Sequence, residues 1–201
     1  MRSLLVTDLD NTLVGNLEAL NLLNDRLIEA RQHQEILLVY STGRSLTSYS
    51  HLFTTTPLLT PDVLITSVGT EIYRNGQVLA DAEWSTKLQP NWDRSLVKQV
   101  TSQFKSLNPQ PEPEQRPFKV SYFLDAAMAE SVMAEVAQTL RSQGLSCQLI
   151  YSGGKDLDIL PEGADKGKAM QFVQAQYEIG DDHTVAPRYS SKKPTCGKPY
   201  P

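Results

Sequence analysis

The chain lacks several things that would each point to a particular class of protein. No run of about 18 apolar residues occurs anywhere in its 201 residues, so no transmembrane helix is expected. No basic stretch followed by a long apolar one opens it, so no signal peptide is expected. Cysteine is scarce: Cys147 and Cys196 stand alone, with no metal-type spacing, which fits the reduced thiols of a cytoplasmic protein. Excess positive charge is missing too. The formal net charge is -4, so there is no basic field to hold nucleic acid or an anionic membrane. No internal repeat is evident. What remains is an ordinary globular composition, 40% hydrophobic, enough to bury a core.

The first third of the chain alternates. Residues 3–7 read as a short buried strand. Leu17, Leu20, Leu23, Leu27 and Ile28 then follow a helical period, with Asn16 as the N-cap. "ILLVY" (36–40) is a second strand, a helix begins near Ser45, and "DVLIT" (62–66) is a third strand. Strand, helix, strand, helix, strand predicts a parallel sheet with helices on its faces.

The pattern changes after residue 70. Asn75-Gly76 sits between two short apolar stretches and predicts a hairpin. A different region begins near Trp84. A helix carries Trp92, Leu96, Val100 and Phe104 near one face. "NPQPEPEQRP" holds four prolines in ten residues and predicts an irregular connector. "FKVSYFLD" alternates as a strand, 127–143 reads as a helix ended near Gly144, and a hairpin turns at Gly153-Gly154. The middle region is thus expected to be two helices and a small, largely antiparallel sheet inserted into the first domain. On its strands Phe118, Val120, Tyr122 and Leu124 share one face, while Lys119, Ser121 and Phe123 share the other. Leu157 and Ile159 alternate with Asp156 and Asp158. Periodicity alone favours a solvated polar face over one that covers a site.

Chemistry concentrates at "LLVTDLDNTLVG" (4–15), where an apolar strand runs into Asp8 and Asp10. Carboxylates at i and i+2 on a regular strand share a face and repel unless something positive lies beside them. At the C-terminal end of a parallel strand that something is often a metal ion or a phosphate. Two such acids can also divide roles, one as nucleophile and one as proton carrier.

These residues carry a resemblance. "DLDNTLVG" resembles the first motif of the haloacid-dehalogenase-like phosphatases, "YSTGRS" the second and "DKGKAM" the third. Within that superfamily, "SVGTEIY" and "YSGGKDLDILP" resemble the cyanobacterial and plant sucrose-phosphate phosphatases. The resemblance implies an α/β fold: a Rossmann-like parallel core with an inserted α/β cap. Residues 1–82 and 161–185 would form the core, 83–160 the cap, and 186–201 an irregular tail. It implies Asp8 as nucleophile, Asp10 as general acid and base, Thr42 as a phosphate ligand with backbone N–H groups near Gly43, and Lys166 as the neutralising cation. Mg²⁺ would rest on the Asp8 carboxylate and the Asp10 carbonyl. Sucrose phosphate would be the substrate, contacted from segments holding Arg44, Thr70, Glu71, Lys119, Lys155, Asp156 and Asp158. Arg44 reads equally well as a solvated cation at a helix start. Association with a sucrose-phosphate synthase is a further implied partner.

One departure stands out. The fourth motif of these phosphatases is an acidic strand end, and the sequence after "DDHTV" reads "APRYSSKKPTCGKPYP" with no acid. Asp181 and Asp182 precede the would-be strand and cannot replace it. The expectation is therefore a frameshifted or shortened core with little activity. The alternatives are a phosphatase of mannosylglycerate or trehalose phosphate, or a non-catalytic relic that binds a partner.

Overall fold

The computed structural model describes residues 2–33, 36–74, 76–90 and 92–186. Strand β1 (Ser3–Thr7) leads to α1 (Leu17–Gln32), β2 (Ile36–Ser41), α2 (Leu46–Thr55) and β3 (Val63–Thr66). β1, β2 and β3 pair in parallel, as the alternation predicts. Asn16 caps α1 by accepting from the Ala19 N–H, and Ser45 caps α2 by accepting from Ser48.

Period-two alternation divides this sheet's side chains between two cores. Leu38, Tyr40 and Leu64 pack with Leu20, Leu27 and Tyr49 of α1 and α2. Leu4, Val6, Val39, Val63 and Ile65 pack on the other face, in the cluster that holds Phe172 and Val173 of α6 (Lys166–Tyr177). The same cluster runs on through Trp84, Leu88 and Trp92 into the smaller sheet.

β4 (Glu71–Arg74) folds back antiparallel on β3, joined to it by one 3-10 turn at Ser67–Gly69. Here the expected hairpin at Asn75-Gly76 fails. Asn75 lies outside the described residues. Past Gly76, residues 77–80 form no strand, and Val78 and Leu79 are each 78% exposed. β4 already has its partner in buried β3. The turn therefore leads only to Asp81, which caps a helix that periodicity missed, α3 (Ala82–Leu88), with Trp84 and Leu88 buried four residues apart.

The cap continues with α4 (Arg94–Thr101), β5 (Asn108–Pro109), β6 (Val120–Phe123), α5 (Ala126–Ser142), β7 (Cys147–Ser152) and β8 (Asp156–Pro161). Its sheet runs β5-β6-β8-β7, all antiparallel. The proline-rich connector is less irregular than expected, since it holds β5 and a 3-10 turn at Glu112–Glu114. α6 returns to the larger sheet, and β9 (Thr184–Val185) pairs parallel with β1. Asp181 and Asp182 lie in the turn before β9, at the strand's start as the sequence implies. The irregular-tail reading falls almost wholly on residues 187–201, outside those described. Among the described residues no helix is long and apolar enough to cross a membrane.

Asp81 offers a stability test. It accepts from the Trp84 N–H at 2.9 Å and from Arg74 Nε at 2.9 Å. Burial raises its carboxyl, but these donors outweigh burial and hold it below the usual range. Asp81→Ala should lower the unfolding free energy by about 1–2 kcal/mol in urea titration. Because the folded pKa is the lower one, the wild-type advantage is present above the unfolded carboxylate value of about 3.9 and fades as pH falls through the folded value.

Candidate active site

The three parallel strands end at the same rim, where open α/β sheets place their ligands. β1 stops at Thr7, so Asp8 and Asp10 are not on a regular strand. The chain turns at once: Leu9 O accepts from the N–H groups of Thr12, Leu13 and Val14, and Asn11 adopts φ 56°. The two carboxylates each meet a cation. Asp8 Oδ2 meets Lys166 Nζ at 2.6 Å, although 158 positions separate them. Its Oδ1 accepts from the Leu9 N–H at 2.7 Å. Asp10 instead receives Arg44, whose Nε and NH2 lie 2.9 and 2.6 Å from its oxygens. That hydrogen bond raises the Arg44 pKa further. Arg44 is therefore a specific partner of Asp10, not simply a solvated cation.

The loop after β2 supplies Thr42, Gly43 and Arg44. Thr42 is wholly buried, and its hydroxyl accepts from the Arg44 N–H at 3.1 Å. The loop is laced to the turn after β3: Thr42 N–H reaches Ile65 O at 2.9 Å and Ser67 N–H reaches Arg44 O at 2.8 Å. That turn places Ser67, Val68 and Gly69 successively at φ 53°, 62° and 96°, where a β-branched valine is an outlier. Gly69 lies so close to the start of α6 that an added Cβ would meet the Asp165 carbonyl carbon at 2.4 Å and the Lys166 nitrogen at 2.7 Å. The Trp84 indole N–H fixes the Gly69 carbonyl at 3.0 Å. Asp165 caps α6 by accepting from the Lys168 N–H. Lys166 is thus aimed at Asp8 by a helix start pressed against this turn.

Thr70 and Glu71, read as sugar contacts, are engaged internally. Thr70 Oγ1 donates to Ser67 O at 3.0 Å. Glu71 is 4% exposed, accepts from Ser67 Oγ at 3.1 Å, and pairs with Arg116 NH2 at 2.9 Å. That pair sits beside Tyr73, whose hydroxyl is pushed up to about 12 by burial and by the Glu71 charge.

The cap's polar face is buried, against the periodicity-based preference for solvent. Lys119 is 2% exposed, with Nζ 3.3 Å from Glu114 Oε2 and 3.5 Å from Asp158 Oδ1. Ser121 donates to Asp158 at 2.6 Å. Glu114 Oε1 accepts from Ser45 Oγ of the core at 2.9 Å. The face is covered because the connector folds over it. Phe123 alone on that face stays out, at 39% exposed. Asp156 accepts from Gln110 Nε2 at 3.0 Å, further along the same face. Lys155 is exposed in the β7–β8 turn and lines a separate hollow with Asn108, Phe123 and Asp125. Sequence reasoning missed Ser45, Glu114 and Arg116. The one available signal was three charges, Glu112, Glu114 and Arg116, inside a segment dismissed as a linker.

A parallel sheet bearing an Asp-x-Asp turn, a Thr-Gly loop and a helix-start lysine at one rim, under an inserted α/β cap, defines a haloacid-dehalogenase-like hydrolase. The family model for sucrose-6F-phosphate phosphohydrolase matches residues 1–190. The chain belongs to that sucrose-phosphatase family. Tobacco (Nicotiana tabacum) sucrose-phosphatase 2 is 45% identical over 175 residues, covering 86% of this chain and 41% of that protein. The mannosylfructose-phosphate phosphatase of Agrobacterium fabrum is 31% identical, covering 90% of this chain and 73% of that protein. The sucrose-phosphatase of Synechocystis, solved with sucrose and phosphate, superposes with a TM-score of 0.84 at 36% identity, over 92% of this chain and 75% of that one. The chain spans under half the length of the curated plant relatives it matches.

Gly69→Ala tests the close approach. The clash and the positive φ should together cost about 1–3 kcal/mol in chemical denaturation. It should also separate Lys166 from Asp8, visible as a lost ¹⁵Nζ–carboxylate coupling in NMR. A neutral outcome on both counts would show that the turn and α6 are not in contact.

Proposed function

We propose that this chain carries the nucleophilic half of a Mg²⁺-dependent phosphatase for sucrose 6-phosphate, working through an aspartyl-phosphate. The observation that carries the reading is the 2.6 Å contact between Lys166 and Asp8, formed at the rim where the Thr42 loop also ends.

Asp8 attacks phosphorus, forming a new P–O bond as the bond to the sugar oxygen breaks. Asp10 gives that leaving oxygen its proton, then takes one from the water that attacks the aspartyl-phosphate and frees Asp8. Lys166 offsets charge on Asp8 and on the phosphoryl oxygens, and Thr42 with the backbone near Gly43 holds the phosphate. Arg44 lies 2.9 and 2.6 Å from the Asp10 oxygens and must move off them when Asp10 serves the leaving oxygen.

The donor chemistry here is hard oxygen, which suits Mg²⁺: the Asp8 carboxylate and the Asp10 backbone carbonyl would hold it. Bound there, the ion would polarise the phosphoryl oxygens. Among the described residues no group of three or more His, Cys, Asp or Glu forms a metal centre, so these two supply only part of a shell.

The cap, read as residues 83–160, would choose the sugar through Lys119 and Asp158, with Asp156 beside them. Glu71 is paired with Arg116 in the structure, as Lys119 is with Glu114 and Asp158. Association with a sucrose-phosphate synthase belongs to the same proposal. A second reading, mannosylfructose phosphate as substrate, is favoured by the relative of which this chain spans 73%.

The test is phosphate release from sucrose 6-phosphate, mannosylfructose phosphate and nitrophenyl phosphate, with and without Mg²⁺. Because the metal shell is partial, the 201-residue chain is assayed alone and joined to the adjoining core segment of the tobacco relative. Preferential Mg²⁺-dependent turnover of sucrose 6-phosphate is expected, faster in the fusion. Asp8→Asn should abolish it while the circular dichroism spectrum is unchanged; surviving turnover removes Asp8 as nucleophile. Asp10→Asn should slow sucrose 6-phosphate by about 10²–10⁴-fold but nitrophenyl phosphate much less, since only the sugar oxygen needs a proton to leave. Equal losses would end the general-acid assignment.

A further inference from the structure

Glu114 touches both the buried polar face of the cap and the loop carrying Thr42. Its Oε1 accepts from Ser45 Oγ at 2.9 Å, and its Oε2 from Lys119 Nζ at 3.3 Å. Ser45 is wholly buried and caps α2 immediately after Thr42-Gly43-Arg44. Lys119 continues to Asp158, and Asp158 to Ser121. An unbroken polar chain therefore runs Ser121–Asp158–Lys119–Glu114–Ser45. Two residues on, Arg116 anchors the same segment to Glu71 of the core. That second anchor leaves Glu114 little freedom to drift, so the chain has a fixed geometry.

A bridge of this kind joins two surfaces that the proposed function uses separately. Lys119 has two acidic partners and one positive charge. Any hydroxyl-bearing ligand that hydrogen-bonds Asp158 or Lys119 changes how firmly Lys119 holds Glu114. Glu114 then changes how firmly it holds the Ser45 hydroxyl, which orients the loop beside Thr42. Glu114 also acts on Arg44 through space, raising its pKa as a lesser contributor behind Asp10.

We propose that Glu114 is a positioning residue that couples sugar occupancy of the cap to phosphate binding at the Thr42 loop, so that each half of the substrate strengthens the hold on the other. This rests on the reading of the Thr42 loop as the phosphate site and of the Lys119–Asp158 face as the sugar site. On this coupling a sugar phosphate binds better than its two halves predict. It also makes Glu114 important without contact to the reacting atoms.

The test measures binding, not turnover. Isothermal titration of the 201-residue chain in Mg²⁺ buffer gives the affinity for inorganic phosphate with and without saturating sucrose. Wild type should bind phosphate at least about fivefold more tightly when sucrose is present, the lower end of ordinary coupling. Glu114→Gln keeps the shape but removes the charge that Lys119 holds, and should bring the ratio to within about twofold of one. Thermal melting checks that the variant is folded. Ser45→Gly is the second variant: glycine still caps a helix tolerably, but the hydroxyl that reaches Glu114 is gone, and the ratio should collapse in the same way. A variant that binds both ligands with the wild-type ratio intact overturns the coupling and leaves the proposed function standing. Wild type binding phosphate with no effect of sucrose also overturns it. Wild type binding neither ligand removes the proposed function itself, and the coupling with it.

Discussion

Lys166 can reach Asp8 only because Gly69 has no side chain. The turn after β3 and the first residues of α6 approach so closely that a methyl group would overlap the Asp165–Lys166 peptide. Three consecutive residues with positive φ bend the chain into that contact, and the Trp84 indole clamps it from the cap side. Backbone strain of this type costs of order 1–3 kcal/mol per residue and persists only where surroundings impose it. Here the surroundings are the two cores, each built from one face of the same sheet. The fold's apolar packing therefore holds the position of a single ammonium group.

Asp8, Asp10 and Glu71 pair with Lys166, Arg44 and Arg116, while Glu114 and Asp158 share Lys119, and the pairs differ in strength in a way that suits the proposed chemistry. Asp10 and Arg44 are 43% and 32% exposed, so their mutual attraction is screened and worth about 0–1 kcal/mol. The side chains of Glu71 and Asp158 are 5% and 9% exposed, and removing the partner of such a buried charge costs about 3–5 kcal/mol. The contact that must open for Asp10 to carry a proton is the cheap one. The contacts that hold the connector over the cap face are the expensive ones.

Much of this was legible in the sequence where the signal was local. The alternation of buried strands and capped helices through residue 66 reads directly, as do α5 and the β7–β8 hairpin. So does the fact that Asp8, Thr42 and Lys166 each follow a strand end or open a helix. The Asn75-Gly76 pair misled because turn chemistry says nothing about which strand β4 prefers, and β3 was the better partner. The burial of Lys119 and Asp158 was hidden for a different reason. Alternation shows that two faces differ, but not what covers the polar one. What covers it is Glu114, bonded to Ser45 69 positions earlier, and Arg116, bonded to Glu71 45 positions earlier. Nothing local marks such partners.

The connector's prolines have one more effect, on how copies of this protein meet each other. β5 is one of the two edges of the cap sheet, and an edge strand with free N–H groups invites a neighbour's strand to add to it. Pro109 occupies that edge, and Pro111 and Pro113 follow at alternate positions. None has an N–H to offer, so a second chain finds no continuous ladder to extend. The segment that ties the cap to the core thus also closes this one edge of the cap sheet to a neighbour's strand.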